Sequence, residues 1–253
     1  MTARKPPPEK SRQLLHPAML AIVEAVEADL GAAGLGFELY ETYRGRARQE
    51  WGYTHNSKGQ RVEPGKGTSR ARWLASFHNW GLAVDFVRAA PAGKWERKTK
   101  ADRAAWDGLG TIYKRHGLIW GGDWAMGDFP HGQLSSGPWA KPALKRGAFA
   151  ARLPGLDPEA RAAEAQWLGT WLSRPSMLQT EIYEANLQQL VADAGFDPGP
   201  VDGDIGPKSV AALLAFARDR TLDVGNDADD LTSAEVLVAL LDAAVGDGGI
   251  CSP

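Results

Sequence analysis

Cysteine is nearly missing from this chain: 253 residues hold a single one, Cys251. An internal disulfide is thereby excluded, and so is a zinc site assembled from several thiolates. Long apolar runs are missing as well. None approaches the ~20 residues that a membrane span needs, so no membrane insertion is expected. The basic, Pro-rich start, Met1–Lys10, is not followed by an apolar stretch with a small-residue cleavage site, so no secretory signal is read there. A large excess of one charge is also missing, the formal balance being −2. What is present, 43% apolar and 24% charged residues, matches a soluble globular protein and excludes a disordered tail or a coiled coil. The length suits one large domain or two ordinary ones.

The near-neutral total conceals a division. Residues 1–150 carry 23 Lys and Arg against 14 Asp and Glu, whereas residues 151–253 carry 6 against 17. Such a change of sign predicts two units with different surfaces. A basic first half suits nucleic acid or another anionic polymer, but no recognised nucleic-acid motif accompanies the charge, so no nucleic-acid partner is expected. The expected organisation is a first domain over 1–150, a connection over 151–178 in which Pro154, Pro158 and Pro175 surround a helical stretch, Pro158–Leu172, and a helical domain over 179–246. Residues 1–12 read as a mobile arm, because Pro6, Pro7 and Pro8 cannot extend a helix. Apolar periodicity predicts helices over 17–30 and 100–117 and short strands over 37–43, 82–87, 118–120 and 130–134. The fold class expected is α+β, a small antiparallel sheet flanked by helices. The Gly-, Lys- and Arg-rich stretch 52–72 reads as a long loop. The second domain is expected to hold three helices, over 182–194, 207–220 and 232–244, with Thr232 as N-cap of the last and Glu235 completing its capping box.

The densest chemical signal is SFHNWGLAVDF, Ser76–Phe86, which sets His78 seven residues before Asp85 with Gly81 between them. The second is WGGDWAMGDFPHGQ, Trp120–Gln133, which sets Asp128 three residues before His131. Two imidazoles and a carboxylate compose a three-ligand zinc site with an open position for water. A nearby unligated carboxylate, Asp128, suits a general base. Zinc would lower the pKa of that water to ~7. The H-E-x-x-H signature is absent, which excludes the helix-borne zincin site. Spacing alone leaves blander readings open. An isolated histidine is more often a satisfied structural group, the reading preferred for His16, His55 and His116. Asp128 and Asp123 also suit turns, and Arg44 also suits an ordinary surface position. Most tryptophans, Trp106 among them, suit the core, while Trp80, Trp120 and Trp124 stand near the motifs and are candidates to line a cleft. Asp85 lies in an apolar strand and needs a partner, for which a metal serves well.

The pattern S-x-H-x-x-G-x-A-x-D over Ser76–Asp85, followed by D-x-P-H over Asp128–His131, resembles the VanY-type zinc peptidases. These comprise D-alanyl-D-alanine carboxypeptidases and L-alanyl-D-glutamate endopeptidases of peptidoglycan stem peptides. The stretches SFHNWGLAVDF, GLIWGGDW and DFPH are most similar to the endopeptidase branch, phage endolysins included, and TYRGRARQ, Thr42–Gln49, resembles its Y-R-[ST]-x-x-x-Q element. The resemblance covers roughly residues 14–135. It implies that His78, Asp85 and His131 bind Zn2+. It implies that Asp128 takes a proton from the metal-activated water and passes it to the leaving amine, and that Arg44 faces the scissile carbonyl. Ser76, Gln49, Trp80 and Asp123 are then the expected substrate contacts. Gly132 and Gly45 depart from the family, where an aromatic and a Ser or Thr are usual.

Downstream, Asn186–Asp219 resembles the three-helix peptidoglycan-binding domain, with Leu187, Gln188, Leu190, Gly195, Asp202, Gly203, Gly206, Ala212 and Phe216 matching and Ile205, Ser209 and Ala217 departing. The resemblance implies cell-wall binding at Asp202, Gly203 and Ile205, although the glycines also suit plain turn formation. A tethered binder would raise the local substrate concentration. The expectation is thus a monomeric zinc peptidase that cuts the L-Ala–D-Glu bond. It would be a phage endolysin made in the host cytoplasm and acting on the peptidoglycan layer. The rivals are a D-Ala-D-Ala carboxypeptidase with the same site and a non-catalytic wall-binding protein.

Overall fold

The computed structural model describes residues 4–91, 93–134, 149–178 and 180–246. The chain divides into two compact units, Met1–Ala140 and Lys141–Pro253. Cys251 lies outside the described residues. No described helix is long and apolar enough to cross a membrane.

The first unit is α+β, as expected. Helix α1 (Pro17–Ala32) starts with proline at its first position, where the missing N–H costs nothing, and it buries Met19, Val23, Val26 and Leu30 along one stripe. Strand β1 (Phe37–Glu41) follows, then α2 (Arg46–Thr54), β2 (Ala83–Arg88), α3 (Lys100–Arg115), β3 (Ile119–Trp120) and β4 (His131–Gln133). The α3 N-terminus carries a reciprocal cap: Thr99 Oγ1 accepts from the Asp102 N–H at 3.0 Å, and Asp102 Oδ2 accepts from the Thr99 N–H at 2.9 Å. Its end is Gly117, in the left-handed region at φ 76°.

The four strands form one antiparallel sheet in the order β1-β2-β4-β3. One face packs on α3. Phe37 meets Trp106 edge-on at 5.0 Å, and Phe86 meets Tyr113 at 6.3 Å. Gly132 belongs to this contact: a Cβ there would stand 2.9 Å from the Tyr113 ring, so the departure from the family pattern makes room for a neighbouring tyrosine. The opposite face carries the candidate site. The N-terminal arm is docked, which corrects the expectation of a mobile segment. The Thr42 N–H donates to the Glu9 carbonyl at 2.8 Å, Thr42 Oγ1 donates to the Ser11 carbonyl at 2.9 Å, and Lys5 Nζ lies over the Trp51 ring.

The second unit is helical: α4 (Pro158–Leu172), α5 (Glu181–Asp193), α6 (Pro207–Asp219), the single turn α7 (Ala228–Leu231) and α8 (Ala234–Val245). Residues 151–178 were expected as a connection. They carry α4, whose Ala165, Leu168, Trp171 and Leu172 are buried, and Trp171 meets Phe149 edge-on at 5.5 Å. The helix spans the expected Pro158–Leu172, with Pro158 at its first position, Pro154 in the short helical segment before it and Pro175 in the turn after it. The three helices expected over 179–246 are present. The cap of the last is Ser233, whose side chain accepts from the Val236 N–H, while Thr232 ends α7.

Candidate metal centre

Strand pairing sets Asp85 on β2 opposite His131 on β4 and opposite Glu41 on β1. Paired residues share a face, so the three side chains leave the sheet together, away from α3. His78 comes from the helical turn Phe77–Trp80 that leads into β2. Gly81 closes that turn at φ 64°, and a Cβ there would stand 2.5 Å from the Leu14 carbonyl oxygen. Only glycine permits both the left-handed backbone and the close approach. A Cβ on Gly121 would likewise meet the Asp128 carbonyl oxygen at 2.4 Å and His131 Cβ at 3.1 Å, so its bareness lets the Asp128–His131 segment close on the sheet.

His78 Nε2, Asp85 Oδ1 and His131 Nδ1 stand 3.2 Å apart in every pairing. They form the one group of three such ligand atoms among the described residues that could hold a metal ion. Other hydrogen bonds set the ring tautomers. His78 Nδ1 is 2.8 Å from the Thr42 carbonyl oxygen, which only accepts, so Nδ1 carries the proton and Nε2 presents a lone pair. His131 Nε2 lies 2.9 Å from Gln133 Oε1, which leaves Nδ1 as the lone-pair atom. Three lone-pair atoms this close repel one another unless a cation lies among them. Points 3.2 Å apart form a tetrahedral face whose centre is about 2.0 Å from each, the distance zinc keeps to imidazole nitrogen and carboxylate oxygen. The donor set therefore fits zinc in number, chemistry and spacing.

The charges around the cluster are arranged in series. Asp85 Oδ2, the oxygen not facing the imidazoles, accepts from Arg44 Nη2 at 3.3 Å, and the same nitrogen donates to Glu41 Oε2 at 2.6 Å. Glu41 is buried and is shared by a second buried cation, Arg48, which also donates to the Pro6 carbonyl in the arm. Burial disfavours the Asp85 charge, but His78 and His131 outweigh that and hold its carboxyl well below the usual carboxylate range. Burial likewise opposes ionisation of Glu41, yet Arg44 and Arg48 hold its carboxyl low. Asp128 behaves oppositely. Its side chain reaches solvent at the rim of the cluster. Desolvation, followed by the Asp85 carboxylate, raises its pKa above the ordinary aspartate value, with the imidazoles and Arg44 opposing. A carboxylate tuned upward beside one tuned downward is the arrangement of a proton acceptor next to a metal ligand.

The remaining expected site residues fall in different places. The Ser76 N–H donates to Asn79 Oδ1 at 3.2 Å and Asn79 Nδ2 donates to the Arg44 carbonyl at 2.6 Å, so Ser76 helps tie the His78 turn to the Arg44 segment. Trp80 is fully buried and its indole N–H donates to the Leu74 carbonyl at 3.0 Å. It is core and does not line a cleft. Gln49 is fully buried too, with Nε2 donating to Ser69 Oγ at 2.8 Å. It fastens the base of the 52–72 loop instead of reaching substrate. Trp120 is buried and donates to the Phe129 carbonyl. Asp123 is an exposed partner of Lys114, at 2.9 Å. Of the three motif tryptophans, Trp124 is the one that meets the cluster, its ring 5.1 Å from that of His131. Sequence reasoning missed Glu41, Thr42, Asn79 and Gln133. Gln133 was within reach, since it stands two residues after His131 on a strand and so shares its face.

In the second unit, Gln188 is buried and its Oε1 accepts from the N–H groups of Asp202 and Gly203, at 3.0 and 2.8 Å. Gly203 is buried at φ 69°, where a Cβ would lie 2.6 Å from the Glu181 carbonyl oxygen. Its role is conformational, which removes it from a ligand-contacting surface. Asp202 and Ile205 remain partly exposed beside it.

A family model described as D-alanyl-D-alanine carboxypeptidase matches residues 69–134, a span that contains His78, Asp85, Asp128 and His131. The peptidoglycan L-alanyl-D-glutamate endopeptidase CwlK of Bacillus subtilis (strain 168) is 30% identical over 123 residues, 46% of this chain and 71% of that protein.

Proposed function

Because the chain belongs to the VanY-type zinc peptidases, we propose that it is a zinc-dependent peptidoglycan endopeptidase that cuts the L-Ala–D-Glu bond of stem peptides. The observation that carries this reading is the 3.2 Å triangle of His78 Nε2, Asp85 Oδ1 and His131 Nδ1 with Asp128 and Arg44 beside it. The likeness to an endopeptidase of that specificity supports the choice of bond.

Zinc bound by His78, Asp85 and His131 would polarise the scissile carbonyl and make a water acidic enough to attack at neutral pH. The chain's own groups do the rest. Asp128 accepts the proton of the attacking water on its carboxylate and returns it to the leaving amine nitrogen, completing the hydrolysis of the amide. Arg44, held by Glu41 and Asp85, supplies a fixed positive charge for the oxygen that becomes negative as the carbonyl is attacked. The positive excess of the first 150 residues, the 52–72 loop included, favours anionic stem peptides. The second unit holds the chain on the wall through the surface around Asp202 and Ile205, so the enzyme works at high local substrate concentration.

Digestion of purified peptidoglycan with the zinc-loaded chain, followed by mass spectrometry, tests the reading. Peptides with a new N-terminal D-Glu are expected. Release of single D-Ala would favour the carboxypeptidase activity after which the matching family model is described, and no cleavage with zinc bound would refute the enzyme. The reading extends to a phage endolysin. Expression inside a bacterial host should leave cells intact until the membrane is permeabilised, and lysis without permeabilisation would refute that placement.

A further inference from the structure

Four large apolar side chains stand exposed among the described residues, Trp95, Ile119, Met126 and Val238, and Trp95 is 54% exposed. Trp95 is built into a platform. Its ring meets that of Tyr40 edge-to-face, at 5.2 Å and 80°. Lys94 Nζ lies 5.5 Å over the Tyr40 ring and 3.7 Å from Glu38 Oε1. The Arg88 N–H donates to the Lys94 carbonyl at 3.2 Å, which sets this segment against the end of β2.

The platform lies on the face of the sheet that carries the metal centre. Glu38 pairs with Val87, two residues along β2 from Asp85, and residues two apart share a face. Along β2 the backbone positions of Val87, beside Glu38, and Asp85 are ~7 Å apart, two residues of strand.

We propose that Tyr40, Lys94 and Trp95 form a saccharide subsite for the sugar that bears the stem peptide. The proposal rests on the endopeptidase reading above and adds the part of the substrate that the metal centre does not touch. A pyranose ring presents one face of C–H groups, which an exposed indole desolvates well, and a rim of hydroxyls, for which the Lys94 ammonium and the Glu38 carboxylate offer a donor and an acceptor. The chemistry of the substrate sets the distance. L-Ala is joined to the muramyl sugar through a lactyl group, so an L-Ala–D-Glu bond at the metal leaves the ring one residue and a short linker away, roughly 7 Å. A D-Ala–D-Ala bond at the metal would leave the ring four residues and that linker away, more than ~14 Å, past the platform. The subsite therefore reads the sugar only if the first bond of the stem is the one cut.

The test compares two substrates, a disaccharide muropeptide and the same stem peptide N-acetylated in place of the sugar, with the zinc-loaded full chain. Trp95→Ala should lower kcat/KM on the disaccharide substrate about tenfold, through KM, and leave the sugar-free peptide unchanged. Trp95→Tyr should restore most of the loss. Equal losses on both substrates, or no loss on either, would overturn the subsite. If the wild-type chain cleaves neither substrate, the endopeptidase reading fails, and binding then decides the subsite separately. Tryptophan fluorescence should report muropeptide binding that Trp95→Ala abolishes, and a titration identical in the two proteins would overturn it.

Discussion

Glu41→Gln is the perturbation that tests the charge network most directly. Glu41 is 1% exposed and holds two guanidinium groups, Arg44 and Arg48, whose side chains are 17% and 8% exposed. Removing one member of a buried ion pair typically costs about 3–5 kcal/mol, because the other charge is left desolvated without compensation. Two features reduce that here. Glutamine keeps an acceptor oxygen, and Arg44 retains Asp85 at 3.3 Å. The expected loss is about 2–4 kcal/mol at pH 7, read as a shift of the first unit's urea midpoint by tryptophan fluorescence. The sign with pH follows from the depressed Glu41 pKa. A carboxyl whose folded pKa lies below its unfolded value, 4.5, contributes stability that is fully present above 4.5 and lost as pH falls through the folded value. The wild-type and Gln proteins should therefore converge in acid. Adding Arg48→Met to Glu41→Gln removes the second stranded cation and should recover part of the loss. A difference under about 0.5 kcal/mol at pH 7, or a gap that persists unchanged to pH 3, would refute the reasoning. Turnover gives a second readout: with Arg44 less firmly held, kcat should fall while zinc content stays at one per chain.

Three further outcomes follow from the same geometry. Asp128→Ala should retain zinc by elemental analysis and lose about 10²–10⁴ in kcat, whereas Asp85→Ala should lose zinc and turnover together; retained zinc in the second variant would remove Asp85 from the donor set. Zinc affinity, measured against a competing chelator, should weaken as pH falls, by up to about tenfold per unit for one displaced proton. The weakening should begin above the ordinary imidazole range, because Asp85 and Asp128, working against burial, raise the His131 pKa. In the second unit, burial together with Glu181 and Asp204 pushes the Glu184 pKa up to about 7, so the folded state holds a proton that the unfolded chain releases near 4.5 and stability declines as pH rises between the two values. Glu184→Gln should stabilise the second unit at pH 8 but not at pH 4, by on the order of 1–2 kcal/mol after allowance for its partial exposure, read as a higher thermal midpoint at pH 8 alone.

The residues of the candidate metal centre were legible in the sequence because each sits in a short, locally determined frame: a glycine-closed turn before a buried strand for His78 and Asp85, and a tight turn into a strand for His131, with Asp128 beside it. The helices were legible for the same reason, periodicity and caps being local. The arm was misread because the partners of Pro6, Glu9 and Ser11 are Arg48 and Thr42, more than thirty residues away, and no local pattern records them. Trp80 was assigned to substrate because it stands within the His78 motif, and Gln49 because it completes the Y-R-[ST]-x-x-x-Q element. Neighbours of a catalytic residue on a turn or helix point in other directions, and here both enter the core. The residues missed, Thr42 and Asn79 above all, act through a backbone carbonyl or a side-chain amide, groups that carry no distinctive chemistry until the fold aims them.

Glu41 shows how much depends on one residue of register. Leu39 pairs with Phe86 but Glu41 pairs with Asp85, so Tyr40 is an extra residue on β1. If Tyr40 were paired instead of bulged, the regular register would set it opposite Asp85 and turn Glu41 to the α3 face, burying a carboxylate against the aromatic packing of Phe86 and Tyr113. With it, Glu41 lies beside Asp85, takes Arg44 and Arg48 as partners, and leaves Tyr40 on the outer surface against Trp95. A β-bulge re-aims side chains and sharpens the local twist, and in this protein it sorts one strand's polar residue toward the metal centre and its aromatic residue toward the platform beside it. Deleting Tyr40 would let Glu41 follow Leu39 directly and still face Asp85, now in regular register. The Arg44 ion pairs and zinc content should therefore survive the deletion while Trp95 loses its aromatic partner, and loss of zinc from a variant that remains folded would refute this account of the bulge.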